Sequence, residues 1–485
     1  MSKVTIIGAG FAGQTAALYL GSGLGRDHET TVINRSRRFL YYPSLVWVGV
    51  GHMKPERTRF PLQPVYDRFH VRLVQGQATR VHPDDGYVVA ELSGSGEETQ
   101  VAYDYLIVAT GAHLNFAGTP GLGPEEGTTH SICTMEHAAD TRDRYLEAVE
   151  RMAHGERQRI VIGTGHPGAT CQGAAFEYLT NVHKDLVKRG LRERADLLWL
   201  SNEPKVGDLG VSGVQVRING RLTSSEEFLT AIFRDYGIRW EVQKGVRRVE
   251  PGRIYWEDYD GAEGETPYDM AMLIPQFTGS PIRYIDRDGQ DITERVANPA
   301  GFVKVDATYG LSYDELRNNP ESWPATYQNP TYPNLFAAGI AFAPPGPISA
   351  PHVNPNGLSI SPAPPRTGMV SGIIGRIVAL NVVDLVQGRD MSHKERMSEM
   401  FAACIASMGD SLWDGAAATV LIHPVVPDPK RFPEGNGRDL SVSHMEMGLA
   451  GAWMKRVLHS TFIWKLKGNP GWALMNVRNR CLPVG

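Results

Sequence analysis

Three observations predict an α/β fold class. An apolar strand at the N-terminus runs directly into a glycine-rich turn and a helix, and the same strand, turn and helix order returns near residue 160. The last hundred residues abandon that order for a stretch in which tryptophans alternate with lysines and arginines. Both turns carry G-x-G-x-x-G spacing, which lets backbone approach a pyrophosphate at a helix N-terminus. The prediction is two Rossmann-like dinucleotide-binding domains with a C-terminal amphipathic, membrane-associating region.

The elements follow in order. Lys3 to Ile7 is a β-branched apolar run, and Gly8, Gly10 and Gly13 of GAGFAG lead into a helical stretch, Gln14 to Leu20. The next strand, Thr30 to Asn34, ends where a ribose-binding acid is expected. Asn34 stands there instead, and an amide keeps the hydrogen-bonding geometry while losing the charge. Tyr103 to Gly111, YDYLIVATG, reads as a buried strand closing in a small turn at Thr110 and Gly111. The second glycine turn lies in IVIGTGHPGATCQG, Ile160 to Gly173, with Gly163, Gly165 and Gly168, and a further strand runs from Leu197 to Ser201. Tyr332 to Gly339, YPNLFAAG, is another strand and turn, followed by Ile340. The expected division is 1–118 with 300–385, then 119–299, then 386–485.

Composition narrows the function. With 485 residues, 42% hydrophobic and 21% charged, the chain is globular and long enough for two or three domains. A formal net charge of -4 gives no basis for nucleic-acid binding. The segment before Gly8 is too short for a cleavable signal peptide, and no apolar run of about 18 residues is expected to span a bilayer. Cys133, Cys171, Cys404 and Cys481 are too few and too scattered for a disulfide framework, and no metal-ligand spacing is present. Any disulfide is therefore expected to be catalytic. Cys171, in the first turns of the second glycine-turn helix, would feel the partial positive charge of unpaired N–H groups, which favours thiolate. Read alone, it is better taken as a small buried hydrophobe.

Over most of its length the chain resembles sulfide:quinone oxidoreductases. The matching segments are IIGAGFAG, PSLVWVGVG at Pro43 to Gly51, YDYLIVATG, SICTMEHA at Ser131 to Ala138, GATCQGAAFEY at Gly168 to Tyr178, NLFAAGIA at Asn334 to Ala341, and CIASMGD at Cys404 to Asp410. Three of these segments each contain a cysteine, which is far more specific than glycine motifs alone. The resemblance implies FAD in the first fold, held by Gly8, Gly10, Gly13, Asn34, Thr110, Gly111, Gly339 and Ile340. Ile340 replaces the usual Asp there, so backbone amides serve in its place. It further implies that Cys171 and Cys404 form a redox pair beside the flavin, Cys404 on the flavin side, with Cys133 a third thiol. Hydrosulfide would be oxidised to polysulfide or sulfane sulfur and the electrons passed to ubiquinone or menaquinone.

Acid–base candidates are His137, four residues after Cys133 and so on one face if that segment is helical, and Glu177, in the otherwise apolar AAFEY. Asp208 stands where some relatives carry a histidine. Lys455 aligns with a family lysine near flavin and quinone. Cys481 matches no family cysteine and is assigned no role.

At the C-terminus, Leu449, Trp453, Leu458 and Phe462 recur at helical intervals among Lys455, Arg456, His459, Lys465 and Lys467, with Trp464 and Trp472 adding bulk. Such a stretch suits a helix lying on a membrane lipid surface, as a peripheral (monotopic) protein would use. A homo-oligomer is compatible with the chain but not derivable from it. Two alternative activities share the fold: a type II NADH:quinone dehydrogenase, whose second glycine motif holds NADH, and a flavocytochrome c-like sulfide dehydrogenase.

Overall fold

The β-branched run Lys3–Ile7 forms β1, buried from its second residue onward, and α1 (Phe11–Leu24) leaves the glycine turn directly after it. The computed structural model describes residues 1–475 except 126, 366, 410 and 412. Along the chain follow β2 (Glu29–Asn34), β3 (Val71–His82), β4 (Tyr87–Leu92), β5 (Glu98–Ala102) and β6 (Tyr105–Val108). The second unit comprises α2 (Met135–Ala153), β7 (Gln158–Thr164), α3 (Gln172–Lys188), β8 (Ala195–Leu200), β9 (Arg239–Glu241) and β10 (Met270–Ile274). The chain then adds β11 (Leu335–Ala337), α4 (Gly368–Val386), β12 (Ala402–Met408), β13 (Ala416–Ile422), β14 (His444–Gly448) and α5 (Leu449–Leu466).

The first sheet has the order β11-β6-β1-β2-β3-β4-β5. The central strands are parallel, and β3, β4 and β5 form an antiparallel meander at one edge. The second sheet, β9-β8-β7-β10, is wholly parallel. Parallel sheets need cover on both faces, which explains the continuous apolar strands. Both predicted Rossmann-like units are present as α/β sheets.

One expectation about the chain needs correction. α4 has a mean hydropathy of 1.8 over an 18-residue window, so an apolar run of membrane-spanning length does exist. It is 67% buried and packs along α1, where a Cβ on Gly375 would lie 2.4 Å from the Ala12 carbonyl oxygen. α4 is thus a core helix whose glycine lets two helices touch. The C-terminal region packs onto the second unit. Its antiparallel sheet β12-β13-β14 lies against α3: the Thr180 hydroxyl and Asn181 amide donate to the Ser407 carbonyl, at 3.0 and 2.8 Å.

Candidate active site

A cavity of about 1390 Å³ runs between the first sheet, α3 and the C-terminal sheet. Gly8, Gly10, Asn34, Thr110, Gly111 and Ile340 line one part of it; Cys133, His137, Cys171, Glu177, Cys404 and Lys455 line the rest. Gly13 and Gly339 lie behind that wall. A Cβ at Gly13 would fall 1.9 Å from the Gly8 carbonyl oxygen, and one at Gly339 would fall 2.7 Å from Ala12 Cβ, so both serve close packing.

The first glycine turn suits a dinucleotide. Gly8 has φ +99°, and a Cβ there would lie 2.4 Å from the Ala109 carbonyl oxygen. At Gly10, the residue preceding α1, a Cβ would meet no described atom within 4 Å, and the helix N-terminus opens onto the cavity. A negative group there would meet unpaired N–H groups and the helix dipole. Asn34 braces this turn: its Oδ1 accepts from Ala9 N–H at 3.0 Å and its Nδ2 donates to the Ser36 carbonyl at 2.7 Å.

The second glycine turn is engaged by its own chain. His166 Nδ1 accepts from Gly168 N–H at 2.9 Å, and burial pushes that imidazole down to about 4. Asn202 Nδ2 donates to the carbonyls of Pro167 and Ala169. A later segment lies across the turn, with Ser361 and Ala363 N–H donating to the same two carbonyls and the Thr170 hydroxyl donating to Ala363.

The structure brings Cys171 and Cys404 to one place across 233 residues of sequence. Cys171 is the cap of α3, in the left-handed region at φ +68°, and so precedes the helix in place of lying in its first turns. Cys404, on β12, rests its sulfur against Gly173. Both are half-buried, as is Cys133. Burial, aided by the charge of Glu177 and opposed by that of Lys455, pushes the Cys404 thiol up to about 11. Burial does the same to Cys133, against a hydrogen bond with Ser131.

Cys133 and His137 do not share a helical face. Thr134 caps α2, its side chain accepting from His137 N–H at 3.0 Å, so Cys133 lies before the helix begins. His137 Nε2 instead pairs with Glu125 at 2.6 Å. Asp208 is buried beside Ser349, whose hydroxyl it accepts, and Glu203 nearby is pushed up to about 8 chiefly by burial.

Glu177 and Lys455 form a buried ion pair at 2.9 Å, and the second Glu177 oxygen accepts from Ser407 Oγ at 2.6 Å. Lys455 is therefore an internal cation. The proposed grouping of the α5 side chains also changes. Leu458 and Phe462 line the cavity, and His459 bonds Ser44 at 2.7 Å with its pKa pushed down to about 4 by burial. Lys465 is similarly lowered to about 8. The outward face carries Trp453, Met454, Val457 and Trp464. An interval-based reading merged two opposite faces of one helix. Sequence reasoning also missed Tyr41, buried at the cavity wall against Phe462, and Gly173, whose C-x-G spacing from Cys171 was visible. Cys481 lies outside the described residues. Among the described residues, no group of three His, Cys, Asp or Glu side chains is placed to hold a metal.

The pyridine nucleotide-disulphide oxidoreductase family model matches residues 2–273. The chain is 28% identical over 467 residues to the sulfide-quinone reductase of Aquifex aeolicus, covering 96% of this chain and 92% of that protein. The X-ray structure of the Aquifex aeolicus sulfide:quinone oxidoreductase aligns with a TM-score of 0.76 at 27% identity, covering 97% of this chain and 93% of that one. NDH2 from Plasmodium falciparum, described in complex with NADH, aligns with a TM-score of 0.65 at 11% identity, covering 98% and 97%, and is similar in fold alone.

Proposed function

Since the chain belongs to the pyridine nucleotide-disulphide oxidoreductase family, we propose that it is an FAD-dependent sulfide:quinone oxidoreductase. The observation that carries this reading is the meeting of thiols from three distant segments on one cavity whose other wall is the first glycine turn. The chain binds FAD, and Gly8, Gly10, Asn34, Thr110, Gly111 and Ile340 would hold it. When bound, FAD supplies a two-electron acceptor that can be reoxidised by quinone.

The residues divide the remaining work. Hydrosulfide attacks the disulfide of Cys171 and Cys404; the S–S bond breaks, a persulfide forms on Cys171, and Cys404 leaves as thiolate holding the electron pair. A low leaving-group pKa speeds such exchange, so the Lys455 charge assists and the Glu177 charge opposes. Each further hydrosulfide that lengthens the chain on Cys171 toward polysulfide gives up two electrons, for which bound FAD and then quinone would be the acceptors; Cys133 can take over a sulfane sulfur from Cys171 as that thiol is released, and His137 carries a proton at the cavity edge. Quinone enters beneath α5, where Leu458, Phe462 and Tyr41 offer apolar wall beside Lys455. The outward Trp453, Met454, Val457 and Trp464 rest on the lipid surface as a peripheral anchor.

Anaerobic mixing tests the proposal. Sulfide should bleach the flavin of the purified holoprotein and decylubiquinone should restore it, while Cys171→Ala and Cys404→Ala retain FAD and do not bleach. Bleaching by NADH with no response to sulfide would transfer the assignment to the dehydrogenase reading.

A further inference from the structure

Gly173 is the second residue of α3, and a Cβ built on its backbone would lie 2.9 Å from Cys404 Sγ. Real Cβ atoms do not approach a neighbour so closely, and apart from its chain neighbours and its own helix backbone the sulfur is the sole described group within 4 Å of that position. The backbone is held on both sides, so the sulfur could yield only by turning about the Cys404 χ1. Residue 173 belongs to a helical turn that Ala174 N–H closes onto the Cys171 carbonyl at 2.9 Å. Cys404 sits in the middle of the β12–β13 ladder, opposite Val420. The helix and the strand are in turn locked together one turn further on, where Glu177 accepts from Ser407 N–H and Oγ at 3.1 and 2.6 Å.

The backbone of Gly173 is not in the left-handed region, so conformational freedom does not explain a glycine there. Helix propensity would favour alanine. The missing side chain has one structural beneficiary, the sulfur of Cys404. We propose that Gly173 is the positioning residue of the thiol pair: its lack of a Cβ is what lets the β12 sulfur seat against α3, two residues from Cys171. This rests on the sulfide:quinone oxidoreductase reading only for its catalytic consequence; the contact itself is independent of substrate.

A double-mutant cycle on the holoprotein tests the contact. Gly173→Ala should lower Tm in the presence of Cys404. In the Cys404→Ala background the same change should raise Tm, because the obstructing sulfur is gone and only the helix preference remains. An equal Tm change in both backgrounds overturns the proposal. If Gly173→Ala alone does not fold but the double variant does, the contact is supported.

The positioning role needs a readout that stability does not move. Reduced holoprotein is treated with diamide, which takes two electrons and two protons from a thiol pair, and the Cys171–Cys404 disulfide is quantified by mass spectrometry of unreduced peptides. The parent should form it, and Gly173→Ala should form at least tenfold less at equal FAD content. Sulfide bleaching should slow by a similar factor, with KM for quinone unchanged. Normal disulfide formation in a folded Gly173→Ala variant overturns the role. If parent protein forms the disulfide and obeys the cycle but ignores sulfide, the functional reading fails and the positioning inference stands.

Discussion

Cys133 and Cys404 illustrate how burial opposes the reactivity that a thiol site needs. Removing a thiolate from water is costly, so both groups are pushed up to about 11. At pH 7 a thiol of that pKa is ionised in only about one molecule in 10⁴. Reduced holoprotein treated with iodoacetamide should therefore label Cys404 and Cys133 slowly at pH 7. Labelling should rise about tenfold per pH unit and level off near 11. Rates already flat at pH 8, read by peptide mass spectrometry, would contradict this. The proposed reaction tolerates such high values, because Cys404 would start it in the disulfide and be released as thiolate only when hydrosulfide attacks.

Between elements, the Glu177–Lys455 pair ties α3 to α5 through the interior. Breaking one side of a buried pair leaves an uncompensated charge, at a cost of about 3–5 kcal/mol. Lys455→Met should lower the urea midpoint accordingly, and Lys455→Met with Glu177→Gln should recover most of the loss. A double variant no more stable than the single one would show that the pair is energetically minor. The same helix presents its other face outward. Because Lys455 is internal, truncation ahead of α5 would strip a buried lysine along with the proposed anchor and could not separate the two roles. Point changes can: Trp453→Glu, Val457→Glu and Trp464→Glu together should abolish co-sedimentation with liposomes while sulfide still bleaches the flavin at the parent rate. Retained liposome binding would assign membrane contact to another surface.

Across the whole molecule, the two glycine turns have diverged in use. The first is open to the cavity at Gly10, whereas the second spends Gly168 N–H on His166 and lies under the segment carrying Ser361 and Ala363. A dinucleotide at the second turn would have to displace those contacts and give up the hydrogen bonds that Ser361 and Ala363 N–H make there, which is costly. NADH should consequently reduce the flavin at least 100-fold more slowly than sulfide in stopped-flow mixing. Comparable rates would mean that the covering segment moves aside.

The local pattern of the chain was enough for the α/β class and the two strand–turn–helix units, because strand period and turn geometry act over a few residues. The cysteine set was legible only through resemblance, since nothing local couples residues 171 and 404. Tertiary structure decided the rest. It placed Cys171 ahead of its helix and Cys133 ahead of α2, because caps at single residues shift a helix start in ways periodicity does not resolve. It turned Leu458, Phe462 and Lys455 inward and Trp453 and Trp464 outward on α5, because which side of an apolar helix is buried depends on the sheet it meets. And it set Gly173 beneath the Cys404 sulfur, a steric requirement that exists only once β12 lies against α3.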